Sequence, residues 1–302
     1  MSSEPHHQRQ IFIGISLAVL ATFIWSGNFI IARGVIKDIP PVTLAFYRWL
    51  TATIIILPFA WKYFVAERKI IKQRILFFLL AAATGVSMFN TFVYIAGHYS
   101  SAINMAILGT CSSPIISVIL ARIFLKEKIP ALRIVGMIVC ICGILILLSK
   151  GNIQNLVSFK FTKGDWWIMA AALTFAVYNT SVRKKPATMH PVNFLFVIFL
   201  LGTIILLPFY LYELNNEGGF AMSTFNLSAI LYLGIGASVI CFLIWNKAIV
   251  ALGSGRTALF GNLIPVFSSI EAVFLLNEKI TSIHILSFIL VVAGLVIANL
   301  KK

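Results

Sequence analysis

Ten apolar stretches, each close to the length a helix needs to cross a bilayer, account for most of this chain. They run approximately over 11–33, 41–62, 74–97, 101–124, 131–149, 164–183, 190–213, 226–250, 255–276 and 282–300. About 20 apolar residues at 1.5 Å each span a hydrocarbon core of about 30 Å. The longest connections, 150–163 and 214–225, are too short to hold a soluble domain. The pattern predicts an all-α integral membrane protein with ten transmembrane helices.

Composition supports the same class. Hydrophobic residues make up 60% of the 302 positions and charged residues 11%, against roughly 25% charged in a soluble domain. A surface of this size cannot be covered by so few charges unless lipid faces it. The net charge of +15 raises nucleic acid as a partner, but the basic residues sit in short segments between apolar runs and form no stripe. They fit loops that anchor a topology instead. With the N-terminus placed in the cytoplasm, the basic segments 62–74, 122–133 and 183–185 fall inside with Arg9, Arg256, Lys301 and Lys302. Arg33, Lys37, Lys150, Lys160, Lys163 and Lys279 fall outside. Residues 1–10 then form a cytoplasmic tail, read as retained since no small-residue cleavage site follows. Cys111, Cys140, Cys142 and Cys241 all lie in apolar runs, where they serve as packing residues rather than as disulfides or metal ligands.

An internal repeat divides the chain. Residues 41–61 read PVTLAFYRWLTATIIILPFAW and residues 191–211 read PVNFLFVIFLLGTIILLPFYL, ten of 21 positions agreeing without a gap. The offset of 150 also pairs Gly14 with Gly164 and Arg33 with Arg183. An offset of 151 pairs Pro114 with Pro265, Glu127 with Glu278, Lys128 with Lys279, and Gly143 with Gly294. Prolines, glycines and glutamates in register exceed what apolar composition alone supplies, and repeats are sought before motifs. The first five-helix unit is 11–149, the connecting loop 150–163, and the second unit 164–300. Five is odd, so the second unit enters the membrane from the opposite side. Inverted repeats of this kind are a transporter architecture.

The residues resemble the EamA-type carriers of the drug/metabolite transporter superfamily. The matching pieces are Trp25-Ser26-Gly27-Asn28, Phe46-Tyr47-Arg48-Trp49, Ser100-Ser101-Ala102, Pro114 and Leu125-Lys126-Glu127-Lys128. Gly253-Ser254-Gly255, Pro265 and Leu276-Asn277-Glu278-Lys279 continue them in the second half. The resemblance implies a ten-helix fold with a central cavity, and export or exchange of metabolites such as amino acids across a bacterial inner membrane. Departures from the family pattern stand at Ser26, where Gly commonly follows the Trp, at His98, and at Glu271, where a small or apolar residue is more usual.

Several residues are candidates for substrate. Arg48 lies about 10 Å into the second helix, where an arginine must face protein or water; it suits a carboxylate or other anionic group, or serves as a structural cation. Glu271 sits at similar depth in the ninth helix, as an ion-pair partner for Arg48, a proton acceptor that couples transport, or a structural acid. Trp25, Asn28, Tyr94, Tyr178, Asn179, Trp245, Asn246 and Asn262 provide aromatic walls and orienting polar groups, with helix–helix hydrogen bonding as the plainer alternative. Pro114 and Pro265 interrupt helices four and nine as hinges or static kinks. The implied partners are a small-molecule substrate and the bilayer, with protons or a counter-substrate for coupling; oligomeric state has no signal. No HExxH, GxSxG, acid-rich prenyl-phosphate or nucleotide-binding motif occurs, so neither enzymatic chemistry, a metal or other cofactor, nor direct use of ATP is expected. A receptor or scaffold has no need of two-sided symmetry.

Overall fold

The computed structural model describes residues 4–35, 38–100, 102–149, 151–152, 154–157, 160–276 and 281–300. Among them, ten helical rods follow one another, one for each apolar run. They are α1 (Glu4–Val35), α2 (Pro41–Gln73), α3 (Ile75–Tyr99), α4 (Ala102–Leu125), α5 (Ala131–Ser149), α6 (Lys163–Arg183), α7 (Pro191–Glu217), α8 (Thr224–Leu252), α9 (Ser254–Leu276) and α10 (Ser282–Asn299). Seven are long and apolar enough to cross a membrane on those two grounds alone. Of the remaining three, α4 is apolar over Ser112–Leu125, α6 carries Lys163, Asp165, Asn179 and Arg183, and α9 is broken by a 3-10 turn at Leu259–Asn262.

Two rods exceed their apolar runs. α1 begins at Glu4, inside the expected tail. α2 continues to Gln73 and, at 33 residues, is about 50 Å long, so its last turns must leave a 30 Å hydrocarbon layer. Lys62, Glu67, Arg68, Lys69 and Lys72 lie on that extension. Each of α2 and α7 caps the start of the other. Glu213 of α7 accepts from the Val42 and Thr43 backbone N–H groups and from the Thr43 hydroxyl. Glu67 of α2 accepts from the His190 N–H and the Asn193 amide. These carboxylates satisfy donors that a helix N-terminus leaves open, and both α2 and α7 start with Pro at the first turn, where its missing N–H costs nothing.

The inversion is visible in the packing. α2 and α7 run antiparallel, with Phe46 stacked on Tyr210 at 4.3 Å near one end and Phe64 against Phe196 at 5.3 Å towards the other. Between them the hydroxyls of Thr53 and Thr203, repeat equivalents, meet at 3.2 Å. α5 and α10 are antiparallel too. Cys140 Sγ lies 3.4 Å from the carbonyl of its equivalent, Val291, and the Ser287 hydroxyl donates to the Gly143 carbonyl at 2.7 Å. A Cβ added to Gly294 would come within 2.6 Å of the Gly136 carbonyl, so the small residues seven apart in each half, Gly136 and Gly143 against Ser287 and Gly294, let these two backbones touch. Other contacts exchange in the same way: α1 packs on α8 and α9 as α6 packs on α3 and α4, and α2 meets α8 as α7 meets α3. The halves are therefore related by a pseudo-twofold axis perpendicular to the helices, which lies in the membrane plane.

The outside is apolar, and polar residues are sealed within a largely apolar core, unlike a soluble domain, whose surface carries its charges. Phe59, Leu76, Ile123, Phe209 and Tyr212 are more than half exposed, while Arg48, Asp165, Asn179, Asn193 and Asn262 are sealed. Lipid is the solvent that fits such a surface.

Candidate functional site

The axis passes a third pair of repeat equivalents, Trp25 of α1 and Phe175 of α6, whose rings meet at 5.9 Å. Around them the sequence-predicted residues converge. Trp245 lies 4.9 Å from Trp25, and Phe242 contacts Trp25, Trp49, Tyr178 and Phe199 at 5.2–6.0 Å. Tyr178 is pressed against Gly85 of α3, where any side chain would collide with its ring.

Two wide turns shape this region. α3 is π-helical over Ala83–Met88 and α8 over Tyr232–Ile240, positions that coincide under the 151 offset. A π segment loosens the regular ladder and frees backbone groups, often at functional sites. The Ala237 carbonyl of α8 accepts both the Trp25 indole N–H at 2.8 Å and Arg48 Nη2 at 3.1 Å. Ser87 and Ser238 are equivalents: the first donates to the Gly202 carbonyl, the second accepts from Arg48 Nε at 2.8 Å.

Arg48 is 1% exposed. Beyond Ser238 and Ala237 it donates from Nη1 to Asn90 Oδ1 and to the Tyr94 hydroxyl, both at 3.0 Å. Its guanidinium fork thus ties α2 to α3 and α8 across the two halves, a geometry that five fixed donors allow.

Three buried amides share one arrangement. Asn90 Oδ1 accepts from Arg48, Asn179 Oδ1 from the Trp245 indole at 3.0 Å, and Asn246 Oδ1 from the Tyr178 hydroxyl at 2.8 Å. In each the Nδ2 group is buried and has no hydrogen-bond partner among the described residues. An unpaired buried donor costs about 1–3 kcal/mol, and three of the same kind occur here.

Glu271 lies on the α1 side of α9. Its Oε1 accepts from the Ser26 hydroxyl at 2.6 Å, so two of the three departures from the family pattern touch, and its Oε2 is buried without a hydrogen-bond partner among the described residues. Gly27 leaves room beside it, and the Tyr232 hydroxyl, which donates to the Ile24 carbonyl, is within electrostatic reach of both Glu271 and Arg48.

The structure thus gathers Trp25, Arg48, Tyr94, Tyr178, Asn179, Trp245 and Asn246, with Glu271 at the neighbouring α1–α9 contact. Asn262 is separate: it is fully buried in the 3-10 turn of α9, beside Cys140, and neither of its amide atoms has a partner of normal hydrogen-bond geometry. The side chain of Asn28 lies outside the described residues. Pro114 leaves α4 continuous, whereas α9 becomes 3-10 just before Pro265. Asn90, Ser238, Phe175 and Phe242 were not singled out from sequence. Asn90 stands one helical turn before Tyr94, and Ser238 pairs with Ser87 under the repeat; those two signals were available. Among the described residues no group of three His, Cys, Asp or Glu could hold a metal ion.

Comparison with known proteins agrees with this architecture. The EamA-like transporter family matches residues 12–149 and 162–300. A protein of Archaeoglobus fulgidus named an uncharacterized transporter is 30% identical over 291 residues, 95% of this chain and 97% of that protein. A probable amino-acid metabolite efflux pump of Escherichia coli is 24% identical, covering 93% of each. One solved structure, at 17% identity and TM-score 0.75, covers 97% of this chain and 96% of its own and shares the fold. The chain belongs to the EamA-like transporter family and is a membrane transporter, not an enzyme.

Proposed function

We propose that this transporter carries a small metabolite bearing a carboxylate and an amine, an amino acid or a close relative, out of the cell or in exchange across a bacterial inner membrane. The observation that carries the reading is the set of three amides with fixed carbonyls and unpartnered N–H groups, backed by an aromatic wall on the pseudo-twofold axis. Amide N–H groups and a nearby guanidinium suit a carboxylate. The free oxygen of Glu271 suits an ammonium group or a coupling proton. Because the amides are buried in this state, substrate reaches them when one half rocks against the other, which is alternating access around a midplane site. The names of the relatives from Escherichia coli and Salmonella typhimurium, both probable amino-acid metabolite efflux pumps, favour the same substrate class.

Counterflow in proteoliposomes against a panel of amino acids, their deaminated acids and their decarboxylated amines tests this directly. Uptake confined to compounds with both groups supports it, and equal uptake of the acid or amine alone refutes it. On the Lys/Arg bias we also infer that both termini lie in the cytoplasm. Impermeant labelling of single cysteines at Lys160 and Lys184 should mark opposite sides, and labelling from one side refutes the inverted topology.

A further inference from the structure

A second polar site stands away from the axis, at the end of the bundle where α4, α6, α8 and α9 terminate or begin. Glu127, just past α4, is in ion-pair contact with Arg183 Nε at 3.9 Å and accepts from the Ser254 N–H at the start of α9. Arg183 Nη1 donates to the Val250 carbonyl at the end of α8 at 2.8 Å. These contacts build the rim of a hollow of about 270 Å³ lined by Glu127, Lys128, Arg133, Arg183 and the backbone turn from Val250 to Gly253. A water molecule takes ~30 Å³, so the hollow holds a much larger group.

Its charge is lopsided. Three cations face it against one carboxylate, and that carboxylate is already engaged. Arg133 lies on the first turn of α5, whose amino end favours anions. It donates from Nη1 to the Lys128 carbonyl, while its Nε is buried with no hydrogen-bond partner among the described residues. Arg256, held by Asn299 through its Nε and Nη2, adds a guanidinium close enough to repel that of Arg133. Two arginines side by side with a spare buried N–H between helix ends is an arrangement that an oxyanion completes.

The hollow also adjoins the apolar exterior. Val250, one of its lining residues, is 51% exposed, and Ile134 and Val135 follow Arg133 directly with 45% and 47% exposure. A headgroup seated here would have its acyl chains beside the lipid-facing surface of α5 and α8. We propose that this hollow binds the phosphate headgroup of an anionic phospholipid, through Arg133 and Lys128. Basic pockets between transmembrane helices hold such headgroups elsewhere. The occupant would touch the ends of both halves, α4 and α5 of the first and α6 and α8 of the second.

The test uses the full chain in neutral detergent. Dioctanoyl phosphatidylglycerol, dioctanoyl phosphatidylcholine and inorganic phosphate are added separately, with thermal stability and native mass spectrometry as readouts. Phosphatidylglycerol is expected to bind and stabilise, and the other two are not. Lys128→Gln, at an exposed position that cannot compromise folding, should weaken phosphatidylglycerol about fivefold, and the double variant with Arg133→Gln about 30-fold, from the usual contribution of a basic residue at an anionic headgroup. Equal stabilisation by inorganic phosphate would make it a soluble-anion site and overturn the lipid assignment. Equal binding of phosphatidylcholine, or unchanged phosphatidylglycerol binding in Lys128→Gln, would also overturn it. None of these readouts depends on transport, so they stand apart from the substrate reading.

Discussion

The amide set makes a sharp prediction at Trp245. In Trp245→Phe an aromatic ring is kept against Trp25, but the indole N–H that fixes Asn179 Oδ1 at 3.0 Å is gone. Asn179 is 0% exposed and cannot turn to water, so its carbonyl is stranded. A stranded buried acceptor costs about 1–3 kcal/mol. Interhelical hydrogen bonds within bilayers average only about 0.6 kcal/mol, because the separated helices find other partners. The lower end therefore applies, and 1–1.4 kcal/mol corresponds to about five- to tenfold. If the Asn179 Nδ2 group binds substrate, the loosened amide should raise the KM for counterflow by about that factor while maximal flux changes less. The companion variant Trp245→Phe with Asn179→Leu removes both partners, and replacing both with apolar groups is close to neutral for folding. It should regain thermal stability without regaining substrate affinity. A wild-type KM in well-folded Trp245→Phe, or wild-type transport in the double variant, would refute the role given to this amide.

Three further outcomes follow from the geometry. Arg48→Lys keeps the charge but cannot reach Ser238, Ala237, Asn90 and Tyr94 together, and each lost charge-assisted bond is worth about 1.5–3 kcal/mol; a lower melting temperature and at least a tenfold loss of flux are expected, and wild-type values in both would contradict the bridging geometry. Gly294→Leu places atoms where the backbones of Gly136 and Cys140 lie and should cost about 1–3 kcal/mol or more by overpacking, seen as lost monodispersity on size exclusion, whereas Val296→Leu on the exposed side should leave the profile unchanged. Glu271→Gln should flatten the pH dependence of transport; a profile that keeps its shape eliminates proton coupling through this residue.

Much of the scaffold is legible in the sequence because its determinants are periodic and come twice. Apolar run length announces each helix, and the paired prolines and glycines announce the two halves. The π segments of α3 and α8 are not legible, since the Gly, Ser and Thr of Ala83–Met88 read equally well as close helix packing; the wide turn forms where Gly85 admits the Tyr178 ring and Ser87 reaches the Gly202 carbonyl. The length of α2 was hidden for a related reason. Its polar end looks like a loop by hydropathy, yet Glu67 is needed one helix over, at the start of α7. In both cases tertiary contacts decide what local pattern leaves open.

The candidate site is harder to read for a reason rooted in the symmetry itself. On the axis, equivalents touch: Thr53 with Thr203, Cys140 with Val291, Trp25 with Phe175. Away from it, Ser87 and Ser238 match, but several polar residues have no counterpart of their kind. Arg48 corresponds to Ile198, Asn90 to Cys241, Asn246 to Ile95 and Glu271 to Leu120. A repeat search therefore finds the framework and passes over the chemistry. That division suits the proposed amino-acid cargo, since two halves moving as equivalents can still offer a carboxylate and an amine single, differently charged places. Ile198 is fully buried, so Ile198→Arg would bury a second guanidinium, and the cost of doing so accords with a single arginine that reaches across both halves.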